Sequence, residues 1–259
     1  MPSTPIDPPT ELFGLLFEAP TRTEVVRLAR TAIERREKLV ICAVNAPKLV
    51  RMRQDVAFRR AILDADLLLP DGMSLVWASR LLRTPLPDRI TGIDIMYALL
   101  AEGTSHHHAT YCLGATERAN ANAVAAFRDE YPGVRIVGRH HGYFPEADEP
   151  RVVEVIAKAA PDILFVAMNT PRKEKFIARW HRELGVPVCL GVGGAFDVAS
   201  GEKRRAPVVL QRAGLEWTWR MFQHPHSAWP RYVHNNLAFA ALLCRELLRP
   251  GSYGAALGD

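Results

Sequence analysis

What most constrains this chain is an alternation of short, continuous apolar runs with stretches whose apolar residues recur at helical spacing. Over 21–38, Val25, Val26, Leu28, Ala29, Ala32 and Ile33 form one stripe, opened by Thr21 and Glu24 at capping-box spacing. The run 39–44 (LVICAV) then reads as a strand that stops at Asn45, and helical spacing returns over 48–63. The same reading predicts strands at 67–69, 110–113, 134–137, 163–167 and 188–191. Helices are predicted at 73–82, 117–131, 150–160 and 171–184. Apolar strands without polar alternation, set between amphipathic helices, predict a mostly parallel α/β sheet covered by helices on both faces. From about Pro207 only helical patterning remains, so an α/β domain is expected over 1–205 and a helical appendage over 206–259.

Composition removes several alternatives. With 48% hydrophobic residues the 259-residue chain can fill a core, so global disorder is excluded. No apolar run reaches the roughly 18 to 20 residues a spanning helix needs. The leader MPSTPIDPPT lacks the basic and apolar regions of a signal peptide, and no export is expected. Cys42, Cys112, Cys189 and Cys244 are far apart in apolar stretches, which predicts buried free thiols in a reducing cytoplasm.

A net charge of +5 is too mild to announce nucleic acid, but the charge is uneven. Between 202 and 249 eight basic residues face three acidic ones, and Trp217, Trp219 and Trp229 lie among them. Such a segment fits a solvated surface, a phosphate or nucleic-acid patch, or a membrane-surface helix, since aromatic rings and arginines both favour the headgroup region. The run 237–248 is apolar yet too short to span, which favours peripheral contact.

In a Rossmann-like sheet of this kind ligands sit outside the carboxyl ends of the strands. The turns there carry Asn45, Asp71-Gly72, Gly114-Ala115, Asn169-Thr170-Pro171 and Gly191-Val192-Gly193-Gly194. Asp71 has two compatible readings, a cap of the following helix or a carboxylate that takes a proton from an attacking hydroxyl. Asn45 suits an Asx-turn. Gly193 and Gly194 would let backbone N–H groups approach a phosphate. Asp64-Ala65-Asp66 has metal-binding spacing but precedes its strand, at the end away from the turns, and reads as a solvated pair. Neither His106-His107-His108 nor His140-His141 has metal-ligand spacing, and no metal site is expected.

Taken in order, Asn45, Pro70-Asp71-Gly72, 87–92 (PDRITG), Leu113-Gly114-Ala115, 138–144 (GRHHGYF), 170–175 (TPRKEK) and 191–197 (GVGGAFD) resemble the WecG/TagA/CpsF glycosyltransferases over nearly the whole chain. The resemblance implies inverting transfer of a sugar from a UDP-sugar to a polyprenyl-diphosphate-linked saccharide at the inner face of the cytoplasmic membrane, in surface-polysaccharide synthesis. It implies Asp71 as general base, Asn45 as the neighbouring active-site amide and Arg89 as the cation facing the diphosphate. Gly114, Ala115, Tyr143, Gly193, Gly194, Phe196 and Asp197 match substrate-side turns. The 1–205 region becomes a catalytic domain and 206–259 a membrane-associating appendage, with Arg212, Arg220 and Arg231 as candidate phosphate or membrane contacts.

Two positions depart from the family pattern. Lys173 stands where Gln is common, and Ala43 where some members have Thr. Lys173 would assist a charged donor or the diphosphate, or else lie on a helix surface. No cofactor beyond the UDP-sugar co-substrate and no nucleic-acid partner is expected. A self-associating peripheral enzyme is expected, although the aromatic C-terminus suits a subunit interface as readily as lipid. The rival readings are a nucleotide-dependent oxidoreductase, disfavoured because the first strand lacks GxGxxG, and a non-enzymatic nucleic-acid-binding protein.

Overall fold

The computed structural model describes residues 9–18, 21–207, 209–210, 216, 218–219 and 225–258, with the backbone alone for 225–232 and 256–258. Strands β3 (Leu39–Val44), β4 (Leu67–Pro70), β5 (Ala109–Gly114), β6 (Arg135–His140), β7 (Ile163–Ala167) and β8 (Val188–Gly191) form one sheet in the order β4-β3-β8-β7-β5-β6. Every neighbouring pair is parallel, as the unbroken apolar runs predict. A separate antiparallel hairpin, β1 (Thr10–Leu12) and β2 (Leu15–Phe17), precedes the sheet.

Helices α1 (Arg22–Arg35), α4 (Met73–Leu81), α6 (Glu117–Glu130), α7 (Glu149–Ala159) and α8 (Arg172–Leu184) fall where helical spacing predicts them. The stretch expected as one helix over 48–63 is two, α2 (Ala46–Met52) and α3 (Val56–Leu63). The break has a local cause: Asp55 caps a new helix by accepting from Phe58 N at 2.9 Å. Helices α5 (Gly92–His106) and α9 (Ala195–Ala199) join the predicted set, followed by α10 (Pro225–Leu248) and α11 (Ser252–Gly258).

One face of the sheet packs Ile41, Cys112, Phe165 and Leu190 against α1, α5, α6 and α9. On the other face Val40, Leu113, Leu164 and Cys189 meet α7 and α8. Over β3 and β4 that second face continues through Cys42, Val44 and Leu68, which join α2, α3, α4, the hairpin and the C-terminal helices. The sheet's amino end is pinned by carboxylates: Asp66 accepts from Val40 N at 2.8 Å and Asp162 from Ala109 N at 2.8 Å. Asp66 is therefore structural and lies at the end expected.

The chain's two extremities close on each other. Phe13 packs its ring 5.8 Å from Phe239 and 5.4 Å from Tyr253, and the Tyr253 hydroxyl donates to Leu49 O at 2.6 Å. Glu246 accepts from Gly251 N, Ser252 Oγ and Tyr253 N, fixing the turn between α10 and α11. The hairpin turn runs through the left-handed region at Phe13 and Gly14, and a Cβ on Gly14 would stand 2.4 Å from Gly254 Cα.

Cys42, Cys112 and Cys189 are buried free thiols, but Cys244 is exposed, contrary to expectation. The packed stripe of α10 runs through Phe239, Leu242, Leu243 and Glu246, and Cys244 falls off that stripe. No helix among the described residues is long and apolar enough to cross a membrane.

Candidate active site

A cavity of about 610 Å³ opens at the carboxyl ends of β3, β4, β7 and β8. Its floor carries Asn45, Lys48, Asp71, Thr170 and Lys173, and the Gly191–Ala195 turn forms one side. Lys203, Arg204, Arg205, Glu216 and Trp219 form the opposite wall. The strand-to-helix turns deliver the polar residues because each strand ends at the same edge of the sheet.

Asn45 is the N-cap of α2, its Oδ1 accepting from Lys48 N at 3.2 Å, so its amide NH2 is the part left for a ligand. Asp71 donates its backbone N–H to Val44 O at 2.7 Å, which ties it to the end of β3. Gly72, at φ 106°, occupies the N-cap of α4, so Asp71 does not sit in the capping position. Arg89 lies in the loop before α5 and pairs with Glu216 on the far wall at 2.5 Å. On that wall Lys203 pairs with Asp197, Arg205 with Asp94 at 2.7 Å, and Trp219 Nε1 donates to Arg204 O.

Lys173 is buried, not spread on a helix surface. Its Nζ donates to Thr170 Oγ1 at 2.5 Å and lies 2.7 Å from Glu174 Oε1. Lys48 Nζ reaches the same oxygen at 2.9 Å and donates to Ala43 O at 2.6 Å. Burial opposes the Glu174 charge, yet the two ammoniums hold its carboxyl down at about 2. Burial, together with the repulsion of Lys48, keeps Lys173 below the ordinary lysine value. For Lys48 burial works the same way, but the Cys42 sulfur, Glu174 and Asp71 outweigh it and hold the ammonium above that value.

Thus the cavity gathers Asn45, Asp71, Lys173, Gly193, Gly194 and Asp197 from the predicted set, with Arg89 joined to its wall through Glu216. Gly114, Ala115, Tyr143 and Phe196 do not line it. Gly114 adopts φ 129° where a Cβ would meet Ala167 O at 2.3 Å, a structural reason for glycine beside β7. Tyr143 is exposed after β6, and Phe196 is wholly buried, its ring 5.8 Å from Phe127. Arg212 and Arg220 lie outside the described residues, as does the Arg231 side chain. Thr170, in a turn the sequence marked, lines the cavity too, whereas Lys48 and Glu216 line it without having been picked out by sequence; only the proximity of Lys48 to Asn45, three residues on, signalled it. Among the described residues no three His, Cys, Asp or Glu side chains group as metal ligands.

A family model described as the glycosyl transferase WecG/TagA/CpsF family matches residues 10–253. A Bacillus spizizenii protein named N-acetylglucosaminyldiphosphoundecaprenol N-acetyl-beta-D-mannosaminyltransferase is 31% identical over 222 residues, 86% of this chain and 85% of its own length. Proteins of the same name from Bacillus subtilis and Staphylococcus aureus are 33% identical over 198 residues and 31% over 212. These matches cover 76% and 81% of this chain, and 77% and 83% of theirs.

Proposed function

The chain belongs to the WecG/TagA/CpsF family of glycosyl transferases, and from that membership we propose that it moves an N-acetylhexosaminyl-type sugar from a UDP-sugar to a polyprenyl-diphosphate-linked saccharide. The relatives' names point to a diphosphoundecaprenol-linked N-acetylglucosamine as the acceptor class. The observation that carries the reading is the placement of Asp71 and Asn45 on the floor of a cavity of nucleotide-sugar size, faced by Lys203, Arg204 and Arg205.

Transfer proceeds by single displacement with inversion. The acceptor hydroxyl oxygen bonds to the anomeric carbon as the bond from that carbon to the diphosphate oxygen breaks, and its electron pair leaves with UDP. Asp71 takes the hydroxyl proton, a contribution of about 10²- to 10⁴-fold. Arg89 and the basic wall stabilise the charge growing on the diphosphate, and backbone N–H groups at Gly193 and Gly194 assist. Fixed cations fill the part a divalent metal plays elsewhere. The enzyme works at the inner face of the cytoplasmic membrane, held peripherally through the segment that carries Arg212, Arg220 and Arg231.

Calorimetric titration with UDP, with NADH and duplex DNA as controls, tests the nucleotide class. Selective UDP binding is expected; NADH or DNA binding in its place would redirect the assignment. Asp71→Asn is expected to keep UDP binding and lose turnover, and unchanged turnover would remove Asp71 from the role of base.

A further inference from the structure

Three ion pairs tie the basic wall of the cavity to the rest of the chain, and they do not face the cavity alike. In the pair of Lys203 with Asp197 both partners line it. In the pair of Arg205 with Asp94 the cation lines it and the carboxylate does not. Arg89 and Glu216 reverse that order: Glu216 lines the cavity, Arg89 does not, and Arg89 Nη1 lies 2.5 Å from Glu216 Oε1. The two side chains are 14% and 25% exposed, so solvent and salt screen the pair only in part.

A ligand at this part of the wall therefore meets a carboxylate before it meets the guanidinium. An anionic group is opposed by the first and attracted by the second. Carboxylate and phosphate oxygens engage an arginine through the same charge-assisted N–H···O geometry. Glu216 thus takes on Arg89 a place that a phosphate oxygen would use. Of the two partners, Arg89 has the more firmly anchored backbone. Its N–H donates to Asp88 Oδ1 at 2.7 Å, and the next residue, Ile90, donates its N–H to Pro70 O at 2.8 Å, at the end of β4. Thr91 and Gly92, immediately after, line the cavity. The glutamate, on three rotatable bonds, is the partner that turns aside most readily.

We propose that Glu216 is a positioning residue that stands in for the nucleotide's diphosphate on Arg89. It holds the guanidinium at the cavity wall before the donor binds, yields it to the diphosphate, and takes it back as UDP leaves. This role rests on the reading that Arg89 serves the diphosphate of a UDP-sugar. It adds that a carboxylate of the enzyme's own competes with the nucleoside diphosphate and lowers its affinity, so that UDP leaves more readily than an uncontested arginine would allow.

The test is calorimetric titration of the full-length enzyme and of Glu216→Gln with UDP and with uridine, and thermal melts follow folding. Glu216→Gln removes the competing charge at nearly constant shape, and the Kd for UDP is expected to fall about tenfold. UDP should inhibit transfer at correspondingly lower concentrations. Uridine, which carries no phosphate, should bind the two proteins alike. A purely structural tie predicts the opposite sign, because loosening the wall weakens whatever it holds. Glu216→Ala decides the matter if Glu216→Gln does not fold. UDP affinity unchanged or weakened by the substitution, or uridine affinity raised as much as that of UDP, would overturn the role of Glu216. Absence of UDP binding in every protein, wild type included, would instead remove the nucleotide reading on which it rests.

Discussion

Arg89 and Glu216 are 127 residues apart in sequence and 2.5 Å apart in space, a pair that ties the loop before α5 to the C-terminal wall of the cavity. Both are largely shielded from solvent, so the pair is screened less than a surface one. If Arg89 stabilises the departing diphosphate, Arg89→Ala should lower kcat about 10²- to 10³-fold. Glu216→Gln leaves the guanidinium in place and should retain most of the turnover. Steady-state kinetics on the two variants separates a catalytic cation from a structural tie: equal losses in both would assign the effect to the tie.

Glu174 makes the fold acid-sensitive in a defined window. Its carboxyl titrates at about 2 in the folded chain against an ordinary value of 4.5. A depressed folded value stabilises the fold above the unfolded value, and that stability is lost as the pH falls from about 4.5 toward 2. Glu174→Gln leaves Lys48 and Lys173 buried against each other, at a cost of about 3–5 kcal/mol near neutrality. Urea unfolding at several pH values should show the gap between wild type and variant narrowing in acid. A gap independent of pH would contradict this account.

The cavity's polar lining is dominated by lysine and arginine, not by grouped carboxylates. Transfer is therefore expected to continue in EDTA. Complete loss on chelation, restored by Mg2+, would assign the diphosphate to a metal and take that role from the fixed cations.

Gly14→Ala introduces a Cβ 2.4 Å from Gly254 Cα, at a residue already in the left-handed region. Overpacking of this kind costs about 1–3 kcal/mol, and each kcal/mol lowers Tm by about 2–4 °C in a chain of this size. Gly251→Ala is the control, since it shares the left-handed φ but meets nothing within 4 Å. A melt that falls equally for both would locate the cost in backbone strain, not in contact between the chain's ends.

The sheet was legible because its strands are buried on both faces and so carry no polar alternation to confuse the reading. Boundaries failed where a short side chain intervened, as at Asp55, whose cap splits one helical pattern into two. Helix α5 escaped because its apolar residues pack on the sheet from a segment where motif residues, not periodicity, drew the reading. Asn45, Asp71 and the Gly193-Gly194 turn could be placed since strand ends converge in any parallel sheet. Phe196 sits beside site residues in sequence but turns into the core against Phe127. Lys48 follows a helix cap and a proline, a setting that suits a solvated lysine; its burial depends on Glu174, 126 positions later in the chain. Such long-range pairings have no local signature.

The β1–β2 hairpin and the tyrosine that packs on it are made far apart in time. Leu12, Phe13, Leu15 and Phe17 are synthesised more than 220 residues ahead of Phe239 and Tyr253, on which their cluster closes. At about 5–20 residues per second the hairpin's apolar face waits on the order of ten seconds or more for its partner. Through that interval the nascent chain offers chaperones an exposed aromatic handle, and the hairpin's apolar face is covered only once Phe239 and Tyr253 have been made.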